Sequence, residues 1–289
     1  MKRLLLLSLV WTLLWLPSCS LQAQDRESTE KFNREFTLPA DAGRSTLAVY
    51  NIFGSVTVQG YSGSKVVMEA TRTVRADDSP TLELGKKEAQ LGFEQRGDSI
   101  IIYLQGPHDS RPRRNHSYNN RDIDYKYEYD FVLKVPQNMN VTVSTVNGGK
   151  VEVTDVAGLL KARNVNGAVS IRNAREATVA HTVNGNVDVT YAAAPTQNAS
   201  YHTINGNITV SYPASVSADL YFKTMHGEMF TDFPKTEVLP ARVTQNKENT
   251  GQGTKYKLNK ETAVRLGQGG RNFRFETING DVTIKQQTR

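Results

Sequence analysis

The chain has 289 residues, 38% hydrophobic and 22% charged, enough apolar material for a folded core, which excludes global disorder. Its net charge is +6, and loss of Lys2 and Arg3 with a leader leaves 33 basic against 29 acidic residues, a net +4 too mild for a nucleic-acid footprint. Cys19 is the single cysteine, so the folded part has no internal disulfide and no catalytic thiol.

Lys2 and Arg3 precede an apolar run from Leu4 to Leu16, 13 residues long, which Pro17 ends. The run is short for a bilayer span, and the pattern is that of a signal peptide over residues 1–23. Two processing routes fit. Leu21-Gln22-Ala23 is a cleavage site that leaves Gln24 first. Leu16-Pro17-Ser18-Cys19 resembles a lipobox that lipidates Cys19, but Pro17 suits that motif poorly, so simple cleavage is preferred. The expected location is outside the cytoplasm: periplasmic, outer-membrane-associated or secreted. No later run reaches 18 apolar residues, so membrane contact is expected only through a lipid at Cys19.

Residues 24–35 are polar and charged and are expected to form a flexible lead-in. Residues 36–289 are expected to form a single β-repeat domain. Alternation begins near Phe36, and Thr46 to Val58 contains Asn51-Ile52-Phe53-Gly54-Ser55-Val56-Thr57-Val58. Strands are expected over Lys65 to Arg75, Ser99 to Gln105 and Tyr125 to Val135, the last ended by Pro136. Pro80 to Leu91 has a weak helical pattern interrupted by Gly85, and predicts at most one or two turns.

From Val141 onward one phrase recurs. It reads Val165-Asn166-Gly167-Ala168-Val169-Ser170-Ile171, Val183-Asn184-Gly185-Asn186-Val187-Asp188-Val189, Ile204-Asn205-Gly206-Asn207-Ile208-Thr209-Val210 and Ile278-Asn279-Gly280-Asp281-Val282-Thr283-Ile284. The corner positions are Asn147, Asn166, Asn184, Asn205, His226 and Asn279, with steps of 19, 18, 21, 21 and 53. The long step is read as an insertion over residues 235–271, carrying five glycines from Gly251 to Gly270.

Each unit holds two short strands and two corners. Asn-Gly between alternating strands signals hairpins, which would build a twisted antiparallel meander. A solenoid explains more, because stacked units give equivalent positions one environment. The columns are uniform: Thr145, Asn164, Thr182, Thr203, Thr224, Thr277, then Val146, Val165, Val183, Ile204, Met225, Ile278. The preferred fold is therefore all-β, a right-handed β-solenoid of about 18–21 residues per coil, the meander being the alternative. In it the Val/Ile column fills the core, the Asn side chains form a corner ladder, and Gly supplies a positive φ.

The early Asn51–Val58 segment, the strand ending Leu133-Lys134-Val135-Pro136 and the serial Val-Asn-Gly units resemble the bacterial "putative adhesin" β-strand repeat family, which includes head GIN-type domains of unknown function. The resemblance covers about Phe36 to Lys285. It implies an exported, non-catalytic, β-helix-like binding protein. The 53-residue step and the basic loop depart from the family pattern.

Within the loop at residues 106–121, Arg111, Arg113, Arg114, His116 and Tyr118 are candidates for gripping a carboxylate, sulfate or phosphate. The plain alternative is a solvated loop. His181 and His202 share a column one coil apart, near the usual strand spacing, but their neighbours Ser144, Arg163, Lys223 and Glu276 supply no tetrahedral ligand set. Asp122, Asp124, Glu128 and Asp130 alternate with Tyr125, Tyr127 and Tyr129, which would place acids on one strand face and aromatics, available to sugars, on the other. No nucleophile elbow, zinc-protease helix, phosphate-binding loop or dinucleotide motif occurs. The chain is expected to be no enzyme, with no cofactor and no metal. The expected partner is an envelope or extracellular polysaccharide or protein. A protein-binding envelope accessory and a carbohydrate-active enzyme using Asp122, Asp124 or Glu128 remain the alternatives.

Overall fold

The computed structural model describes residues 26–38, 42–112, 122–249 and 254–287. Cys19 and the cleavage site before Gln24 lie outside the described residues, as do Arg113, Arg114, His116 and Tyr118. The N-terminal third comprises β1 (Arg26–Thr37), β2 (Thr46–Tyr50), β3 (Val56–Tyr61), β4 (Lys65–Ala76), α1 (Ser79–Glu88), β5 (Gln90–Arg96), β6 (Ser99–Gly106) and β7 (Tyr125–Pro136). Ten short strands follow: β8 (Asn140–Ser144), β9 (Val151–Thr154), β10 (Leu160–Arg163), β11 (Val169–Ala174), β12 (Thr178–His181), β13 (Val187–Tyr191), β14 (Ala199–His202), β15 (Ile208–Tyr212), β16 (Ala218–Lys223) and β17 (Met229–Thr231). The chain ends with β18 (Thr236–Asn249), β19 (Thr254–Leu266), β20 (Arg271–Glu276) and β21 (Val282–Gln286).

The protein is all-β, with two mixed sheets, neither closed on itself. One runs β1-β4-β7-β3-β9-β11-β13-β15-β21-β17, the other β18-β19-β16-β20-β14-β12-β10-β8-β2-β6-β5. From β8 to β17 successive strands alternate between the sheets, and neighbours within each sheet are parallel. Antiparallel pairs, compatible with the meander alternative, gather at the two ends: β1 with β4, β4 with β7, β5 with β6, and β19 with both β16 and β18.

Alternation along each strand puts one face inward. Val56, Val151, Val169, Val187, Ile208 and Val282 align in register and are all buried. Each such side chain contributes about 1.5–3 kcal/mol of burial. Toward the C-terminal units the facing strands switch to aromatics. Tyr201 and Phe222 stack on Phe275 at 4.9 and 5.1 Å, and Tyr212 stacks on Phe273 at 5.2 Å. Tyr201 sits at the centre of a buried hydroxyl cluster, 2.6 Å from the Tyr191 hydroxyl and 2.9 Å from that of Tyr212, which donates to it.

Several expectations are corrected. The polar segment read as a flexible lead-in is strand β1, because β4 matches its charges. Glu30 pairs with Arg72, Lys31 with Glu69, Glu27 with Arg75 and Glu35 with Lys65. The weak helical pattern forms a ten-residue helix, α1. Asp78 caps it by accepting from the Thr81 N–H at 2.7 Å. Gly85 does not interrupt it; its bare backbone lets the helix approach Val74 and Tyr125, where an added Cβ would lie 2.7 Å from Val74 Cγ1. Tyr125, Tyr127 and Tyr129 are buried in the core, so that face offers no aromatics to a sugar. Apart from these corrections, residues 235–271, read as an insertion, hold the β18–β19 hairpin.

The last unit in sequence is not last in space. β20 lies between β14 and β16, and β21 lies between β15 and β17. The C-terminal strands thus enter the stack one layer before its end.

Candidate functional site

The corners are the most regular polar feature, and the apolar column beside them does not fill the core as expected. The Val/Ile column is only half-buried, whereas the preceding polar column is buried: Thr145, Asn164, Thr182, Thr203 and Thr277 are at most 4% exposed. Each donates to a glycine carbonyl of the neighbouring layer. Thr145 Oγ1 reaches Gly54 at 2.7 Å, Asn164 Nδ2 reaches Gly149 at 2.9 Å, Thr182 Oγ1 reaches Gly167 at 2.8 Å, Thr203 Oγ1 reaches Gly185 at 2.9 Å and Thr277 Oγ1 reaches Gly206 at 3.1 Å. Burial of these polar side chains is tolerable because each has that carbonyl as partner.

The glycines are required mainly by proximity. A Cβ on Gly185 would lie 2.3 Å from the Gly167 carbonyl oxygen, and one on Gly280 would lie 2.0 Å from that of Gly206. Outside the corner runs an amide ladder. Asn166 donates to Asn147 at 2.6 Å, and Asn184 to Asn166, Asn205 to Asn184 and Asn279 to Asn205 at 2.7 Å. Asn279 then contacts His226 Nδ1 at 3.1 Å, so His226, placed before Asn279 by sequence order, ends the ladder. Since the Asn279 contact atom is the carbonyl oxygen, His226 Nδ1 carries the hydrogen.

The second polar column runs Ser144, Arg163, His181, His202, Glu276, Lys223. The His181 and His202 rings are 5.6 Å apart, edge to face. Burial, then His202 and Arg163, push the His181 imidazole down to about 4. Glu276 forms an ion pair with Lys223 and lies 3.9 Å from His202. Among the described residues no three His, Cys, Asp or Glu side chains gather as a metal set.

Of the basic-loop candidates, Arg111 is placed with its guanidinium over the Tyr103 ring, 4.1 Å from its centroid. It is bound to Asp109 and, at 2.6 Å, to Glu94. Those carboxylates, Asp109 foremost, raise its pKa further. Arg111 therefore braces the loop base against β5. Of the acids, Glu128 pairs with Arg75 at 3.3 Å, Asp130 accepts from the Ser55 N–H at 2.8 Å, and Asp124 lines a shallow cleft with Arg75, Asp77 and Lys126. Glu128 and Asp124 thus both neighbour Arg75, whereas Asp130 serves the corner at Ser55.

Two features escape sequence reading. Met225, Met229, Phe230 and Val238 are exposed, the first three on or beside the edge strand β17. At the opposite end, Arg34 and several aromatics frame a cleft between the edges of the two sheets. The signal for the first lay in the phrase itself, where the unbranched Met225 replaces a β-branched Val or Ile.

The described molecule is thus an all-β protein of two mixed sheets with a repeated parallel unit, and none of its helices is long and apolar enough to cross a membrane. No family model matches the chain, and no curated protein matches it. Among solved structures it is similar to a "putative cell adhesion protein" from Clostridium sporogenes, with 12% identity over 91% of this chain and 100% of that one and a TM-score of 0.44. It is also similar to a "putative adhesin" from Bacteroides fragilis, with 9% identity over 89% of this chain and 97% of that one and a TM-score of 0.39.

Proposed function

We propose that the protein is an exported, non-enzymatic β-solenoid of the adhesin type that binds a repetitive polymer at the cell envelope or outside it. The observation that carries this reading is the register of the outward-facing columns. On the ten-stranded sheet Thr57, Glu152, Ser170, Asp188, Thr209 and Thr283 align on successive strands. Neighbouring strands lie about 4.8 Å apart, so one polar motif is presented at a constant repeat along a rigid face. Such a face suits a polysaccharide that presents hydroxyls or charges at its own repeat. The reading is tested by screening purified mature protein against an array of envelope polymers and glycans. Saturable binding that Asp188→Ala and Thr209→Ala weaken together supports it, and a blank array removes its main support.

One observation favours a second reading, an envelope accessory that binds another protein. Met225, Met229 and Phe230 are exposed on or beside the edge strand β17, and exposed apolar side chains at an unpaired sheet edge suit a protein contact. A stoichiometric protein partner captured by the wild type and lost in Phe230→Ser would favour it over polymer binding. Mass spectrometry of the mature N-terminus decides the attachment: a free Gln24 means release, and a diacylglycerol on Cys19 means anchoring.

A further inference from the structure

The end of the molecule opposite β17 holds a cleft of about 250 Å³ between the two sheet edges, β1 and β5. Its walls are mainly apolar: Phe32, Met68, Leu91, Phe93 and Tyr129, with Arg34 at the rim. The aromatic walls are held in place, since Tyr129 is buried with its hydroxyl donating to the Ala89 carbonyl at 2.7 Å, and Phe93 packs against Phe36 at 5.9 Å.

Two arginines border this cleft, and their states differ. Arg72 is saturated. Its Nη1 donates to the Lys86 and Ala89 carbonyls at 2.8 and 2.7 Å, and its Nη2 pairs with Glu30 at 2.6 Å. Arg34 is exposed and has no carboxylate partner among the described residues. Its guanidinium instead lies over Phe93 at 4.3 Å and over Phe36 at 5.1 Å. A guanidinium held over aromatic rings spends none of its N–H donors on a carboxylate, so they remain available to an incoming anion. The cation is therefore positioned without being neutralised, at the mouth of an apolar cleft.

We propose that this cleft binds small amphipathic monocarboxylates, an alkyl or aryl body lying among Phe32, Leu91 and Phe93 and the carboxylate accepting two hydrogen bonds from Arg34. The chemistry follows from the pairing of a planar fork donor, which matches a carboxylate bidentately, with a volume too small for a large ligand. Polymer binding on the sheet face and this site are independent, so either stands without the other.

The probes are octanoate and 3-phenylpropanoate, their neutral amides, and inorganic phosphate, titrated into the full mature chain and followed by NMR shifts of the Phe32, Met68 and Phe93 signals. The two acids distinguish an alkyl from an aryl occupant, and phosphate tests whether the anion suffices alone. The expected result is saturable shifts with at least one acid, about tenfold or more weaker with its amide, and none with phosphate. Arg34→Gln, an exposed change that leaves Arg72 and the walls in place, is expected to reduce acid affinity about tenfold or more and to leave the amide unchanged. Leu91→Trp, which fills the cleft, is expected to abolish both. No cleft shifts with either acid, or acid binding unchanged in Arg34→Gln, would overturn the proposal.

Discussion

At the residue scale, the corner shows that burial decides what a hydrogen bond is worth. Thr203 is fully buried, and its hydroxyl serves the Gly185 carbonyl, while Asn205, two residues on, makes its ladder bonds in water. Thr203→Val leaves a carbonyl short of a partner and is expected to cost about 1–3 kcal/mol in urea unfolding, whereas Asn205→Ala is expected to cost less than about 1 kcal/mol. Equal costs would mean that the exposed ladder contributes as much as the buried one. His181 gives a pH dependence. An unfolded histidine takes up its proton near 6.5, while the folded imidazole, desolvated and beside His202, resists until about 4. Between those values the unfolded state binds more protons, so stability present above pH 6.5 is lost as pH falls toward 4 and then levels off. His181→Gln is expected to flatten this slope, and parallel curves of urea midpoint against pH for the two proteins would exclude the effect. The phrase makes the unit length and corner residues legible, but not which polar column faces inward. That depends on a glycine carbonyl about 15–18 residues away along the chain.

At the element scale, α1 and β1 owe their existence to partners that the local sequence does not display. Both rest on Arg72, which bonds the carbonyls at the C-terminal end of α1 and the Glu30 carboxylate of β1. A buried cation at a helix C-terminus offsets the partial negative charge there. Arg72→Met is expected to cost about 2–4 kcal/mol and to raise amide exchange first across residues 79–89, with the repeat strands unaffected. Uniform loss of protection over the whole chain would show instead that α1 is not a separable unit. The sequence pattern understated both elements for one reason. Their charged and glycine positions look like loop chemistry until β4, some 40 residues from β1, supplies the opposite charges and a surface that needs a missing Cβ.

At the scale of the whole molecule, the interposed C-terminal strands set the cooperativity. β17 has one sheet neighbour, β21, and β16 depends on β20 and β19. In a simple stack the terminal unit is dispensable, with stability falling by about one unit's share. Here a chain ending at Gly270 lacks both interposed strands, and is expected to lose the β16–β17 layer with them and to unfold in a broadened transition. A sharp, nearly wild-type thermal melt for that variant would contradict the arrangement. Spacing alone hid it, because a step of 53 residues is equally long whether the chain proceeds outward or turns back. The same arrangement sets the order of assembly against the order of the chain. β16 and β17 precede β20 and β21 in sequence but have no partner on that side until the later strands are in place. Until then the folding chain holds a vacant slot whose bare strand edges accept the β20–β21 segment, Arg271–Gln286, of any copy as readily as its own. A crowded, unfolded population therefore faces a kinetic choice between self-closure and exchange of β20–β21, and that choice is made at those two strands.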